Sequence, residues 1–346
     1  MTQVTVATDK GVLVARSRNG EWKRAEYLDG SDVQALAADP LRPAIIYCGT
    51  YGQGLWRSDD AGDNWRPVGE GITEPQVMSV AVSAHERSGG DGVVYVGTEP
   101  SALFRSINGG ATWQECAALR ALPSAPTWSF PPRPYTSHVR CITLDPHTPG
   151  ILSLCIEAGA LVRSMDGGET WRDRVPTGPY DTHTLLAHAD APGRLYAAAG
   201  DGFMRPGTGY AESDDAGASW RHIGEGLPHQ YLWGAAVDPG DPDTVVVSAA
   251  RSPNQAHNPT TAESFVYRRS GDGWQAGGDG LPVGAGMLAA VLATNGAEPG
   301  IFYAAANTGL YRSADGGRSW SSLPVAWPDS YRSRHINALV ITESAR

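Results

Sequence analysis

Ser58-Asp59-Asp60-Ala61-Gly62-Asp63-Asn64-Trp65 is one copy of a pattern, Ser-x-Asp-x-Gly-x-x-Trp, that returns along the whole chain. Ser164–Trp171, Ser213–Trp220 and Ser313–Trp320 match it in full, and Ser106–Trp113 carries Asn108 in the aspartate place. Two worn copies, Ser17-Arg18-Asn19-Gly20-Glu21-Trp22 and Ser270-Gly271-Asp272-Gly273-Trp274, complete the set. The tryptophans stand at 22, 65, 113, 171, 220, 274 and 320, with separations of 43, 48, 58, 49, 54 and 46 residues. A repeat of this period marks a modular fold. Each box reads as a tight turn: Asp or Asn accepts backbone N–H bonds, Gly supplies positive φ, and Trp opens the next strand with a large apolar face.

Around each box the chain is β-rich. Ile45-Ile46-Tyr47-Cys48-Gly49-Thr50 is followed by Gly54-Leu55-Trp56-Arg57-Ser58, and Val93–Thr98 with Ala102–Ser106 and Ile301–Ala305 with Gly309–Ser313 repeat the arrangement. A further strand ending near Asp-Pro precedes each pair, at Val33–Pro40, Val139–Pro146 and Leu232–Pro239. Every unit therefore reads as four antiparallel strands, A to D, with the box in the C–D turn. Seven such units predict an all-β, seven-bladed β-propeller, with residues 1–346 as a single domain. The chain opens on strands B, C and D (Val4–Thr8, Val12–Ser17, Glu21–Leu28) and ends on an A-like strand, His335–Ile341. Pairing the last strand with the first three closes the ring and removes an open edge.

Composition agrees. The 42 Gly and 25 Pro suit strands joined by turns, and 41% hydrophobic residues can fill a large core. With 27 Lys+Arg against 37 Asp+Glu, the net charge of −10 argues against nucleic-acid binding, which needs a basic footprint. No run is long and apolar enough to cross a bilayer, and residues 1–20 lack a signal-peptide core, so a cytoplasmic location without membrane partners is the expectation. Cys48, Cys116, Cys141 and Cys155 show no metal-ligand spacing. Cys141 and Cys155 face each other if 138–145 and 151–157 form a hairpin. A disulfide is open there, but a reducing cytoplasm favours two buried thiols.

The boxes resemble the Asp-box, or BNR, repeat of sialidases, sortilin-type receptors, xyloglucanases and photosystem assembly factors. The resemblance covers essentially the whole chain and implies the propeller fold, while the family's functions diverge. Sialidases of this type are six-bladed and use an arginine triad with a Tyr/Glu pair and an acid. This chain reads as seven-bladed, and Leu41-Arg42-Pro43 falls in an A–B turn on the wrong face, so sialidase chemistry is not expected.

In such a ring the A strands line the channel, and the segments leading into them share one rim with the B–C loops. Box residues are then structural, and the site belongs on the other face. His138, His183, His229 and His335 stand at four A-strand starts. Grouped, they would hold a divalent metal that polarises a substrate oxygen or activates water; separately, they would cap strand ends. Arg140 and Arg334 are candidates for a carboxylate clamp, against ordinary pairing with nearby acids, and Tyr231 for an acid/base if a cation lowers its pKa. Asp181 and Glu157, with Glu99 in reserve, form the carboxylate pair that glycoside hydrolysis would need. The proline-stiffened segment 117–137 with Trp128, the B–C loops with Arg251 and His257, and Trp233, Trp327 and Tyr331 supply a ligand wall.

Two functions compete. One is a hydrolase or lyase acting on a carbohydrate-like or anionic small molecule at the rim. The other is a non-catalytic module binding a protein partner, which should show a broad apolar or charged patch where an enzyme shows a deep polar pocket.

Overall fold

The computed structural model describes residues 2–271 and 273–343 as seven antiparallel sheets in a closed ring. Asp272 of one worn box lies outside the described residues. Blade 1 pairs the C-terminal strand Ile336–Glu343 with Thr2–Thr8, followed by Gly11–Arg18 and Glu21–Tyr27. The ring is thus closed as the terminal sequences predict. Strand A of blades 2 to 7 is Val33–Asp39, Gln76–Ser88, Val139–Leu144, Thr182–His188, Tyr231–Asp238 and Val291–Thr294. Five blades have four strands in A-to-D order, and blade 6 adds to its four a short fifth, Gly284–Ala285, paired with its C strand. In blade 4 the fourth place shrinks to a bridge between Arg163 and Arg172. Among the described residues no helix is long and apolar enough to cross a membrane.

The repeated turn folds by one hydrogen-bond scheme. Ser58 Oγ donates to Asp60 Oδ1 and accepts from Gly62 N, both at 2.8 Å, while Asp60 Oδ1 accepts from Asn64 N. Ser164, Ser213 and Ser313 repeat it, and Asn108 takes the acidic role beside Ser106. The glycine is required twice over. Gly317 has φ of +81°, and a Cβ there would stand 2.4 Å from Val246 Cγ2 of the preceding blade. The tryptophan also reaches backward: Nε1 of Trp113, Trp274 and Trp320 donates to Val68 O, Ile223 O and Gly277 O of the preceding blades. The box therefore ends one blade and seats it on its neighbour.

Cys141 and Cys155 face each other across strands A and B of blade 4, with Cα atoms 5.1 Å apart. They are joined as a disulfide, which corrects the expectation of two thiols. Direct cross-strand pairing brings the sulfurs within bonding range. Cys48 and Cys116 are free.

Gly317→Ala is expected to cost roughly 2–4 kcal/mol, combining left-handed strain with overpacking against Val246. Gly20→Ala, also at positive φ but with nothing within 4 Å of its Cβ, should cost only about 1 kcal/mol. Urea unfolding of both variants checks the difference; equal losses would mean that the box glycine serves its turn alone.

Candidate active site

Each A strand is built to re-aim one residue. In blades 2 to 5 the register skips Gln34, Met78, Arg140 and His183, so that each bulges from the ladder. Blade 6 skips Trp233 and Gly234 against Ser248, and blade 1 skips Asn337. A bulge bends the strand and turns the extra side chain out of its regular alternation. Six blades use it at the same level, and these residues line the channel and the cavity above it.

That cavity has a volume of about 570 Å³. One wall is the tip of segment 117–137, where Phe130, Pro131, Pro132 and Arg133 fold inward. Opposite stands the five-residue helix Pro253–His257, capped by Ser252, which delivers His257. Glu157 follows the B strand of blade 4, and Asp181 precedes the A strand of blade 5.

The floor is a charged network. His138 Nε2 lies 2.9 Å from Glu157 Oε2, and His138 Nδ1 lies 3.4 Å from Glu99 without a well-aligned hydrogen bond. Glu99 in turn takes a two-pronged contact from Arg133, at 2.7 and 2.5 Å. Arg140 stacks over Trp233 at 4.3 Å, with its Nε 3.7 Å from Glu157. His183 Nε2 faces Asp181 at 3.6 Å and Glu157 at 3.9 Å. Its Nδ1 lies 2.6 Å from the Leu232 carbonyl, which can only accept, so Nδ1 carries the proton. The Tyr231 hydroxyl is 2.9 Å from His257 Nε2. The Asp201 carboxylate fixes the backbone of Tyr180 and Asp181 by accepting both amides.

Burial would raise the Glu157 carboxyl, but the charge and hydrogen bond of His138, then His183 and Arg140, hold it far below the usual range. Glu99 falls to about 2, because His138 and Arg133 outweigh its burial. Asp181 moves the other way: burial raises it, and Glu157 and Asp201 add to the rise against His183. His138 is raised despite burial, chiefly by Glu157. Burial and then Arg140 take His335 down to about 4, and burial with His335 lowers His257.

Of the residues picked out in the sequence, His138, His183, Asp181, Glu157, Glu99, Arg140, Tyr231, Trp233 and His335 gather around this cavity and its floor. The four-histidine metal cluster does not form. His335 packs on His257 and Trp233 at 4.7 and 5.0 Å, and His229 stacks on Phe265 at 4.1 Å in blade 6. The group whose ligand atoms lie within 4.8 Å of one another is Glu157, Asp181 and His183. Burial drives the Tyr231 hydroxyl far up, and Glu157 and Asp181 add to the rise against Arg140, so no cation brings it down as an acid/base role would require. Trp128 turns away into the core beneath segment 117–137, bonding Ser124. Trp327 bonds the Asn307 carbonyl and packs on buried Tyr331, whose hydroxyl meets Glu26. Arg334 pairs with Asp9, and Arg251 is exposed outside the cavity. The Glu99–Arg133 pair and the bulges left no local signal in the sequence.

The buried His138–Glu157 pair gives a pH test. The raised His138 stabilises the fold below its unfolded value of 6.5, and this fades as pH climbs through the folded value. The lowered Glu157 contributes above its unfolded 4.5 and is lost as pH falls through its folded value. His138→Ala should therefore cost most between those limits, about 3–5 kcal/mol for a buried charge left unpaired. Urea unfolding at about pH 6 and about pH 9 should show the gap to wild type shrinking at the higher pH; an unchanged gap would mean a packing loss only.

No protein-family model matches the chain. It is 27% identical over 236 residues to a xyloglucanase of Paenibacillus sp., an alignment covering 57% of this chain and 21% of that protein. It is 25% identical over 286 residues to xyloglucanase Xgh74A of Acetivibrio thermocellus, covering 70% of this chain and 31% of the relative. The chain thus spans a fifth to a third of the length of these relatives. Among solved structures, the Niastella koreensis GH74 enzyme superposes with a TM-score of 0.69 at 19% identity, over 92% of this chain and 51% of the other. YCF48 bound to a D1 peptide superposes at 0.60 with 14% identity, over 94% and 97%. These likenesses establish a propeller fold shared by glycan-cleaving enzymes and by a peptide-binding protein.

Proposed function

We propose that the chain is an Asp-box propeller that hydrolyses a glycan in the cavity above its channel, with Glu157 and Asp181 as the working pair. The observation that carries this is their divergence. Two carboxyls with oxygens within 4.8 Å of each other face one cavity, and their surroundings push one strongly down and the other up. Such a split assigns acid and base roles. Asp181, the carboxyl that its surroundings raise, acts as the acid and gives its proton to the leaving glycosidic oxygen. Glu157, ionised, attacks the anomeric carbon as the C–O bond breaks. Water then displaces Glu157 from the sugar, giving its proton to Asp181. With oxygens within 4.8 Å of each other, the pair lies short of the ~6.5–9.5 Å of inverting enzymes, and we assign it the retaining course. Trp233 and Phe130 offer apolar faces to sugar rings, and the relatives named as xyloglucanases support a carbohydrate substrate class.

A divalent ion has no place in this scheme. Glu157 already meets His138 and Arg140, and a metal would have to displace that contact against two cations. Sialidase chemistry gains no support either, since Arg42 is occupied by Asp91 in the A–B turn. Against the scaffold reading, the charged and aromatic side chains concentrate in a cavity.

Glu157→Gln and Asp181→Asn should each lower kcat about 10²- to 10⁴-fold with circular dichroism unchanged. Cleavage should hold up at acid pH, because Glu157 stays ionised far below the normal range, and should fall as Asp181 ionises above its normal value; Asp181→Asn should abolish that basic limb. Proton NMR of the fresh product should show a retained anomeric configuration. Inversion, or full activity in either variant, would sink the assignment. Activity should survive EDTA; loss on chelation with recovery on a divalent ion would make these carboxylates ligands.

A further inference from the structure

Most arginines packed into this protein spend their guanidinium groups on acids, hydroxyls and carbonyls. Arg57 reaches Tyr47, Asp59, Asp91 and the Gly109 carbonyl, Arg268 donates to Gly316 O and Thr244, and Arg133 grips Glu99 with two bonds. Arg140, Arg194 and Arg334 each keep a buried Nε without a hydrogen-bond partner among the described residues, and of these three the one that lines the cavity is Arg140. Its side chain is 13% exposed, and its Nε is closed to solvent with no hydrogen-bond partner among the described residues. The anion within reach, Glu157, stands at 3.7 Å and is already bonded to His138 at 2.9 Å. A desolvated guanidinium with unmet donors is costly unless something else meets them.

Its position looks designed for a ligand. The bulge between Val139 and Cys141 turns Arg140 toward the cavity, and the Trp233 ring beneath the guanidinium holds it flat. Charge points the same way. Arg133 is met by Glu99 and His138 by Glu157, which leaves Arg140 as the cavity cation with no acid of its own at hydrogen-bond distance. A protein of net charge −10 keeps that charge at the one place where substrate would sit.

We infer that the sugar held in this cavity carries a carboxylate, as in a uronic-acid glycan, and that the planar fork of Arg140 receives it. This rests on the glycan-hydrolase reading. It departs from neutral-glycan recognition, for which hydroxyl-directed donors and acceptors would suffice. A carboxylate offers two coplanar oxygens that match two parallel N–H groups of guanidinium, a match that a single lysine ammonium cannot reproduce.

The test is calorimetric binding to the Asp181→Asn protein, in which turnover is blocked, and to Asp181→Asn/Arg140→Gln. The probes are oligogalacturonides, the same oligosaccharides with carboxyls reduced to alcohols, xyloglucan oligosaccharides and a sulfated galactan. The uronate should bind about 10- to 100-fold tighter than its reduced form, and Arg140→Gln should erase that difference. Arg140→Lys should restore only a small part of it. Ligand-induced shifts of melting temperature, with galacturonate on wild type and on Arg140→Gln, provide a second readout independent of turnover. Neutral oligosaccharides bound as tightly as uronate, or cleaved while uronates are not, would overturn the inference and leave the hydrolase reading standing. Preference for the sulfated galactan would overturn the carboxylate assignment. Failure of every glycan to bind would remove both.

Discussion

The antiparallel pairing of Thr2–Thr8 with Ile336–Glu343 is the constraint on which the rest depends. A propeller blade has two flat faces, and each is covered only if the ring closes on both sides. Without that pairing, blade 1 would lack its channel strand, and blades 7 and 2 would each lose a neighbour. The consequence reaches the site directly. Asn337, which lines the cavity, sits on the closing strand, and His335 immediately precedes it, so the strand that closes the ring also completes the cavity that holds Arg140 and Trp233.

Within the closed ring, a small backbone device turns a structural channel into a chemical one. Regular β alternation would send every second A-strand residue toward the channel and repeat the same pattern in each blade. The bulges break that uniformity at one level and present Gln34, Met78, Arg140, His183, Trp233 and Asn337 together. Each comes from a different blade, so each can vary without disturbing the ladder of another. The boxes at the C–D turns carry the opposite duty. They are alike because each performs the same task of ending a blade and seating it on its neighbour, through Gly317 against Val246 or Trp320 against Gly277.

This division explains what the sequence could reveal. The fold was legible because the turn is local: a serine, an acid and a glycine within five residues, with the amide two places further on, make its hydrogen bonds, and repetition multiplies the signal. The site was legible where it depends on strand starts, since His138, Asp181, His183, Tyr231 and Trp233 stand at fixed places relative to the A strands. It was obscure where loop packing decides direction. Trp128 and Phe130 are two residues apart in one segment, yet Trp128 enters the core and Phe130 faces the cavity. Trp327, Tyr331 and Arg334 precede the closing strand, but Asn307, Glu26 and Asp9 claim them. Arg133 and Glu99 are 34 residues apart, and no spacing rule links them.

The acid and base roles proposed for the two carboxyls follow from the side on which each finds its cations. Glu157 lies between His138 and Arg140, so its charge is stabilised before any substrate arrives, and burial strengthens those interactions as much as it penalises the ion. Asp181 has only the His183 imidazole within ion-pair reach, and its other neighbours in charge are the carboxyls Glu157 and Asp201. Burial, with the charges of Glu157 and Asp201 behind it, then raises this carboxyl against His183 and the Ala158 amide. The same asymmetry restricts what the cavity can accommodate. A neutral sugar would leave Arg140 leaning on a carboxylate that His138 already holds. An anionic sugar would engage Arg140 itself and free Glu157 from sharing, leaving its attacking oxygen less encumbered at the moment when the glycosidic bond must break.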